Sequence, residues 1–372
     1  MFTSTEILGT AGRIAGRLKN YEHRPEQLAM AQAVEDAISR GRHLVVEAGT
    51  GVGKSFAYLV PAILAAAGSK SRIANNHDDD RCAQKPRLPR VVVATHTISL
   101  QEQLMEKDLP FLDSVIPLEF SAVLVKGRGN YISLRRLKNA VDRMKNLFDD
   151  EEELAQLRHL NKWSKETADG SLSELDFRPD NLVWDEVASE QGNCMGRECP
   201  TYARCFYYKA RRRMQNAQIL VVNHALFFSD LALRRENASF LPPYDVVIFD
   251  EAHMMETVAG EHMGLSVTNG QVEYLLRKLY NERNNRGLLV HHHFSEAQRA
   301  VMECRQRAER FFRQIGQWLQ EHAQDNGRVR KPNITPNSLS EGLSKLAALL
   351  RRCGKDLNKP EQRQDIDRKS VV

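Results

Sequence analysis

Residues 48–55 read Ala48-Gly49-Thr50-Gly51-Val52-Gly53-Lys54-Ser55, directly after the apolar run Leu44-Val45-Val46. Glycines at 49, 51 and 53 let a backbone turn tightly and aim successive N–H groups at phosphate oxygens. Lys54 supplies a point charge for β- and γ-phosphates, and the Ser55 hydroxyl suits a magnesium ion. The segment from Phe56 to Leu59 is expected to open a helix whose N-terminal dipole favours the same anion, and Pro61 to end or bend it. Ala48 stands where the strict form of the pattern has its first glycine.

Far downstream, Asp250-Glu251-Ala252-His253 follows a second apolar run, Val246-Val247-Ile248-Phe249. Both motifs thus sit at the C-terminal ends of expected buried strands, where an open parallel sheet places its ligands. Together they imply a protein that binds and hydrolyses a nucleoside triphosphate. Asp250 is the expected magnesium ligand. Glu251 is the candidate base for the attacking water. His253 is expected to couple the nucleotide to a polymer track, and Gln27, in Arg24-Pro25-Glu26-Gln27, can donate to and accept from an adenine edge.

Five short apolar runs predict parallel strands: His43–Glu47, Arg90–Thr95, Ser121–Val125, Gln218–Asn223 and Asp245–Asp250. Helical or irregular segments separate them. Residues 5–40 show helical spacing, as do 270–320 and 337–353. The polar stretch 68–89 reads as a surface insertion. Residues 126–217 are too long for a loop and predict an inserted subdomain. The expected fold is α/β, a RecA-like parallel sheet with helices on both faces. Its parts are 1–125 (first half of the motor domain), 126–217 (cysteine-bearing insertion), 218–260 (second half), 261–354 (a helical, arch-like region) and 355–372 (a frayed tail).

The 372 residues carry a net charge of +5, 42% hydrophobic and 27% charged side chains, which is ordinary for a globular protein and argues little for any partner. No apolar run approaches the roughly 20 residues that span a bilayer, which excludes a membrane role, and the N-terminus lacks the pattern of a secretory signal. The expected location is cytoplasmic. Six cysteines there do not suggest a disulfide framework. Cys82, Cys304 and Cys353 are scattered, whereas Cys194, Cys199 and Cys205 share one short segment. The run His291-His292-His293 reads as exposed, not as a metal tract.

In these motifs the chain resembles the DinG-type helicases of bacteria, relatives of the XPD helicases of superfamily two. The resemblance rests on Arg24-Pro25-Glu26-Gln27, residues 47–55, Ala94-Thr95-His96-Thr97, Lys126-Gly127-Arg128-Gly129-Asn130-Tyr131, Val221-Val222-Asn223-His224-Ala225-Leu226 and Asp250-Glu251-Ala252-His253, in order over about residues 20–260. It implies an ATP- and magnesium-dependent enzyme moving 5′ to 3′ on single-stranded or forked DNA and unwinding duplex, in repair or replication. It also implies a 4Fe-4S cluster in the insertion and a second motor domain after the arch. Two departures follow. Ser133 stands where the family has its first cluster cysteine, so the trio could hold a cluster with another ligand, hold zinc, or be ordinary thiols. The second motor domain is not recognised; Gln324-Asp325-Asn326-Gly327-Arg328-Val329-Arg330 matches its closing motif only by coincidence. The expectation is therefore the N-terminal portion of a helicase. The alternative is an ATP- and nucleic-acid-binding protein that unwinds nothing.

For nucleic acid, Thr201–Asn216 reads as one helix with Ala203, Phe206, Tyr207, Ala210 and Met214 inward and Arg204, Tyr208, Arg211 and Arg212 outward, a mixture of charge and stacking surface that suits a single strand. A second basic cluster, Lys126, Arg128, Arg135, Arg136 and Lys138, would add to it. His96, with Thr95 and Thr97, is the expected contact to the strand backbone.

Overall fold

A strand buried on both faces is apolar nearly throughout, and Val91-Val92-Val93-Ala94 meets that condition with Thr95 closing the run. In the computed structural model these residues form strand β1, all five fully buried. The structure describes residues 2–19, 21–68, 89–148, 150–192, 194–264, 266–322 and 327–355, with side chains left aside at 145, 146 and 291. The expected insertion at 68–89, with Cys82, lies almost wholly outside them, as do the tail and part of the 324–330 match.

β1 is flanked by parallel partners in a four-stranded sheet of order β2-β3-β1-β4, where β2 is Ala122–Leu124, β3 Ile219–Asn223 and β4 Val246–Phe249. Register aligns Thr95 with Asn223 and Ala94 with Phe249, so His96, His224 and Asp250 all follow the same C-terminal edge. Alternate side chains of β1 and β3 enter two cores. Val91, Val93, Ile219 and Val221 meet Leu59, Val60 and Ile63 of the helix Lys54–Ala67, together with Ala31 and Leu112. Val92, Ala94, Leu220 and Val222 meet Phe227, Phe228 and Val258 on the other face. This is the RecA-like α/β arrangement.

One expectation about this sheet fails. No strand forms at His43–Glu47: residues 42–49 carry no regular structure, and Leu44, Val45 and Val46 are 43%, 96% and 41% exposed. A strand exists only where a neighbour accepts its ladder, and β4, the last strand, pairs with β1 alone among the described residues. Pro61 does not end the helix it sits in, which runs from Lys54 to Ala67. One hydrogen bond is missing there, and complete burial of Leu59, Val60, Ala62 and Ile63 holds the helix through it.

The chain divides into two compact units, residues 1–127 with 208–265, and residues 128–207 with 266–372. The first contains the sheet. In the second, the inserted segment has its own apolar core, including Ile132, Leu157, Leu160, Val183 and Val187. The downstream region is helical: Asn269–Leu279, Ser295–Glu321 and Ser338–Lys355 share a core of Leu276, Leu279, Val301, Cys304, Leu346 and Leu350. Burial pushes the Cys304 thiol up to about 11. Within the same unit, Lys278 lies 3.4 Å from both Asp185 and Glu186.

Candidate nucleotide site

Gly51 and Gly53 hold the loop in its shape, with φ of +88° and +83°, a region that L side chains rarely adopt. The two differ in their surroundings. A Cβ on Gly51 would meet open space, whereas one on Gly53 would lie 2.1 Å from Gln27 Nε2. That nitrogen donates to the Gly53 carbonyl at 2.9 Å, and the Arg24 guanidinium donates to the Gly51 carbonyl. Arg24 and Gln27, from the start of the helix Pro25–Arg40, therefore clamp the loop. Gln27, expected at an adenine edge, is 94% buried with part of its amide already committed to the loop.

Across the loop stand the acids that follow β4. Lys54 Nζ lies 3.4 Å from Glu251 Oε1, and His253 Nδ1 3.5 Å from Glu251 Oε2. Glu251 adopts a left-handed backbone conformation (φ +55°), a strained state for a side chain of its size and one that clusters at functional sites. Its N–H donates to Asp250 Oδ1 at 3.0 Å. Ser55, Lys54, Asp250 and Glu251, nearly 200 residues apart in the chain, thus converge. Ser55 and Asp250 offer hard oxygen donors, the set that suits magnesium.

Two residues at this site, Tyr58 and Asp108, carried no motif signal, and a third, His224, lay in a motif without an assigned role. Tyr58, one turn beyond Ser55 and 3% exposed, donates from its hydroxyl to Asp250 Oδ2 at 3.1 Å. Burial, and then the Asp250 charge, push its pKa well above the ordinary tyrosine range, so it remains a donor. Asp108 closes a π-helical turn, Leu104–Asp108, and accepts from Gln103 Nε2 at 3.3 Å; burial raises its carboxyl above the usual range. His224 is 1% exposed, its Nε2 3.2 Å from the Ala94 carbonyl, the same oxygen that accepts the Asp250 N–H at 2.9 Å. Burial lowers its pKa, so the ring is neutral at neutral pH. His96 is exposed with its ring 6.0 Å from that of His224, and Thr97 caps the helix Ile98–Gln103.

The expected nucleic-acid residues are placed differently. The helix begins at Phe206, not Thr201, because Cys205 is extended and Tyr202–Arg204 forms a separate turn. Phe206, Tyr207 and Met214 are buried as expected, but Ala203 is exposed. Arg204 and Arg212 are exposed, Tyr208 is half-buried, and Arg211 donates to the Phe240 carbonyl at 3.1 Å while lying over its ring. In the second unit, Arg135 and Arg136 are 4% and 8% exposed, which removes them from any phosphate-binding surface. Arg136 donates to the Ala188 and Asp185 carbonyls and pairs with Glu190 at 3.1 Å. Arg128 packs 4.0 Å from the Tyr207 ring and donates to the Glu190 carbonyl. A guanidinium's several donors serve carbonyls that an apolar core would leave bare.

Cys194, Cys199 and Cys205 are half-buried, and among the described residues no three His, Cys, Asp or Glu side chains gather as metal ligands. Cys194 Sγ accepts the Gly196 N–H at 3.5 Å, and Cys199 Sγ lies 3.3 Å from Thr201 Oγ1. Ser133 caps the helix Leu134–Asp142, its oxygen accepting the Arg136 N–H at 3.5 Å. No helix among the described residues is long and apolar enough to cross a membrane.

The loop, the acids at the strand end and the parallel sheet define a P-loop nucleotide-binding protein of the helicase class. A DEAD/DEAH box helicase model matches residues 27–197, and the related DEAD_2 model matches residues 188–272. Over these residues the chain is similar to DEAD/DEAH box helicases, and the relatives it matches include helicases named YoaA and DinG. It is 34% identical to the ATP-dependent DNA helicase YoaA of Haemophilus influenzae over 72% of this chain and 38% of that protein. It is 35% identical to the ATP-dependent helicase DinG of Mycobacterium tuberculosis over 61% and 33%, and 29% identical to the 3′-5′ exonuclease DinG of Bacillus subtilis over 70% and 25%. The chain thus spans about a quarter to two fifths of the length of these relatives. Among solved structures, a truncated XPD aligns over 92% of this chain and 81% of its own, at 13% identity and a TM-score of 0.39.

Proposed function

We propose that the chain is the nucleotide-binding part of an ATP-dependent DNA helicase, coupling ATP hydrolysis to 5′-to-3′ movement on single-stranded DNA and to duplex unwinding in repair or replication. The observation that carries the reading is the convergence of Lys54 on Glu251, at 3.4 Å, beside Ser55 and Asp250. The loop amides and Lys54 bind the phosphates. Ser55 and Asp250 hold magnesium, which when bound neutralises charge on the phosphoryl group being transferred. Arrival of a triphosphate draws Lys54 from Glu251, leaving that carboxylate to orient the attacking water and take its proton. Gln27 contacts the base while tied to the loop, and His253, beside Glu251, carries the state of the nucleotide outward. His96, Arg204, Tyr208, Arg211 and Arg212 contact the strand, with affinity that falls steeply with salt. In this reading the chain is a motor domain interrupted by an insertion and followed by a helical arch.

Glu251→Gln is the test. It should leave Mg-ATP affinity within about two-fold while lowering DNA-stimulated ATP hydrolysis by on the order of 10²-fold or more, the range of a lost general base. An unchanged hydrolysis rate sinks the assignment of Glu251. Wild-type protein that binds ATP and DNA but displaces no strand would favour the reading as a binding module without unwinding.

A further inference from the structure

At the C-terminal edge of the sheet, one buried ring stands between the acids of the nucleotide site and the exposed segment at His96. The Ala94 carbonyl accepts twice, from the Asp250 N–H at 2.9 Å and from His224 Nε2 at 3.2 Å. A carbonyl only accepts, so Nε2 is the nitrogen that carries a proton. The peptide holding this oxygen runs directly into Thr95 and His96. Thr95 is fully buried and in register with Asn223, whose side chain caps the helix His224–Arg235 by accepting the Leu226 N–H at 2.7 Å. That cap fixes the start of the helix and with it the His224 ring, which lies 5.9 Å from the ring of Phe249 and 6.0 Å from that of His96.

Folding stability alone does not account for a histidine here. His224 is 1% exposed, and among the described residues its Nδ1 has no hydrogen-bond partner. A buried polar atom left unpaired is destabilising, and the Ala94 carbonyl is already satisfied by Asp250. Phe227 and Phe228 pack on Phe249 close by, so an apolar ring would suit the neighbourhood. What the imidazole adds is the second bond to the carbonyl. We infer that His224 is a positioning residue that couples strand contact at His96 to the placement of Asp250. With two donors on one oxygen, the peptide between Ala94 and Thr95 cannot tilt, as the His96 segment takes hold of a strand, unless the Asp250 amide follows. The inference rests on the nucleotide-site and strand-contact readings above.

The test measures single-stranded DNA affinity of the whole chain with and without a magnesium-bound, non-hydrolysable ATP analogue, for wild type, His224→Phe and His224→Gln. The ratio of the two affinities is the coupling itself, and wild type should show at least about five-fold. His224→Phe keeps a ring against Phe249 and loses the donor. Its coupling should vanish, while affinity for the analogue alone stays within about two-fold, since the loop and Lys54 are untouched. Its midpoint in urea should equal or exceed that of wild type, whereas a merely structural histidine would lower the midpoint and leave the coupling. His224→Gln, whose amide can donate to the same carbonyl, should restore the coupling. Absence of coupling in wild type, full coupling in His224→Phe, or no recovery in His224→Gln overturns the inference while leaving the nucleotide site intact. Wild-type protein that binds neither ligand defeats both.

Discussion

Replacing Gly53 by alanine tests the loop at the position where its geometry is most demanding. Gly53 has φ +83°, and an added Cβ would lie 2.1 Å from Gln27 Nε2 and 3.2 Å from its carbonyl carbon. The backbone term is about 1–2 kcal/mol for an L residue in the left-handed region. Expelling the Gln27 amide also breaks its 2.9 Å bond to the Gly53 carbonyl, a net loss of about 0.5–1.5 kcal/mol. The sum, about 1.5–3.5 kcal/mol, falls on the conformation that receives phosphate and should weaken Mg-ATP binding by on the order of 10- to 300-fold. Titration calorimetry with a non-hydrolysable ATP analogue measures it. Gly51→Ala is the internal control: its φ is +88° but its Cβ meets nothing within 4 Å, so it carries the backbone term alone. In a Gln27→Ala background, the effect of Gly53→Ala should shrink to that of Gly51→Ala. Equal losses for the two alanines in the wild-type background would refute the claim that Gln27 clamps the loop.

Other expectations follow from packing. Asp230 is 1% exposed and accepts from Arg234 Nε at 2.6 Å and from the Phe240 and Leu241 N–H groups at 2.6 and 2.8 Å, so Asp230→Ala should destabilise the first unit by about 3–5 kcal/mol in urea unfolding. Cys304, with its pKa near 11 in the fold against an unfolded value of 9.0, contributes stability that is full below pH 9 and lost between pH 9 and 11. Over that window Cys304→Ala should show a flatter decline in unfolding free energy than wild type, and native Cys304 should resist thiol reagents at pH 8.5. Arg136, which ties the Asp185 and Ala188 carbonyls to Glu190, should matter more to the inserted segment than any metal. Arg136→Ala should lower its unfolding midpoint, and a strong iron and zinc chelator should leave the wild-type midpoint where it is.

The sequence revealed what depends on local chemistry. The runs at 91–95, 219–223 and 246–249 are continuous and apolar, and each becomes a buried or half-buried strand at its expected place. Leu44-Val45-Val46 is equally apolar and forms none, because strand formation depends on a ladder partner that no run of residues announces about itself. The loop and the acids at 250–251 were legible because phosphate and magnesium constrain residue type and spacing together. Tyr58 and Asp108 were not: each reads as an ordinary helical position, and only the third dimension brings the Tyr58 hydroxyl to Asp250. Arg135 and Arg136 show the opposite error. Charge pattern assigns an arginine to the solvent, yet a guanidinium can be buried wherever carbonyls lack donors. Ser133 was read as a substitute for a metal ligand although it also occupies an N-cap position, and capping is the role it takes.

The central claim is that residues 48–55 and the Asp250-Glu251 turn form one Mg-ATP site. Calorimetric titration of wild type, Lys54→Ala and Asp250→Ala with an ATP analogue tests it most directly. One site per chain in the wild type, with binding lost in Lys54→Ala and its magnesium dependence lost in Asp250→Ala, is the predicted result. Wild-type affinity in Lys54→Ala, or a magnesium response untouched by Asp250→Ala, would contradict it.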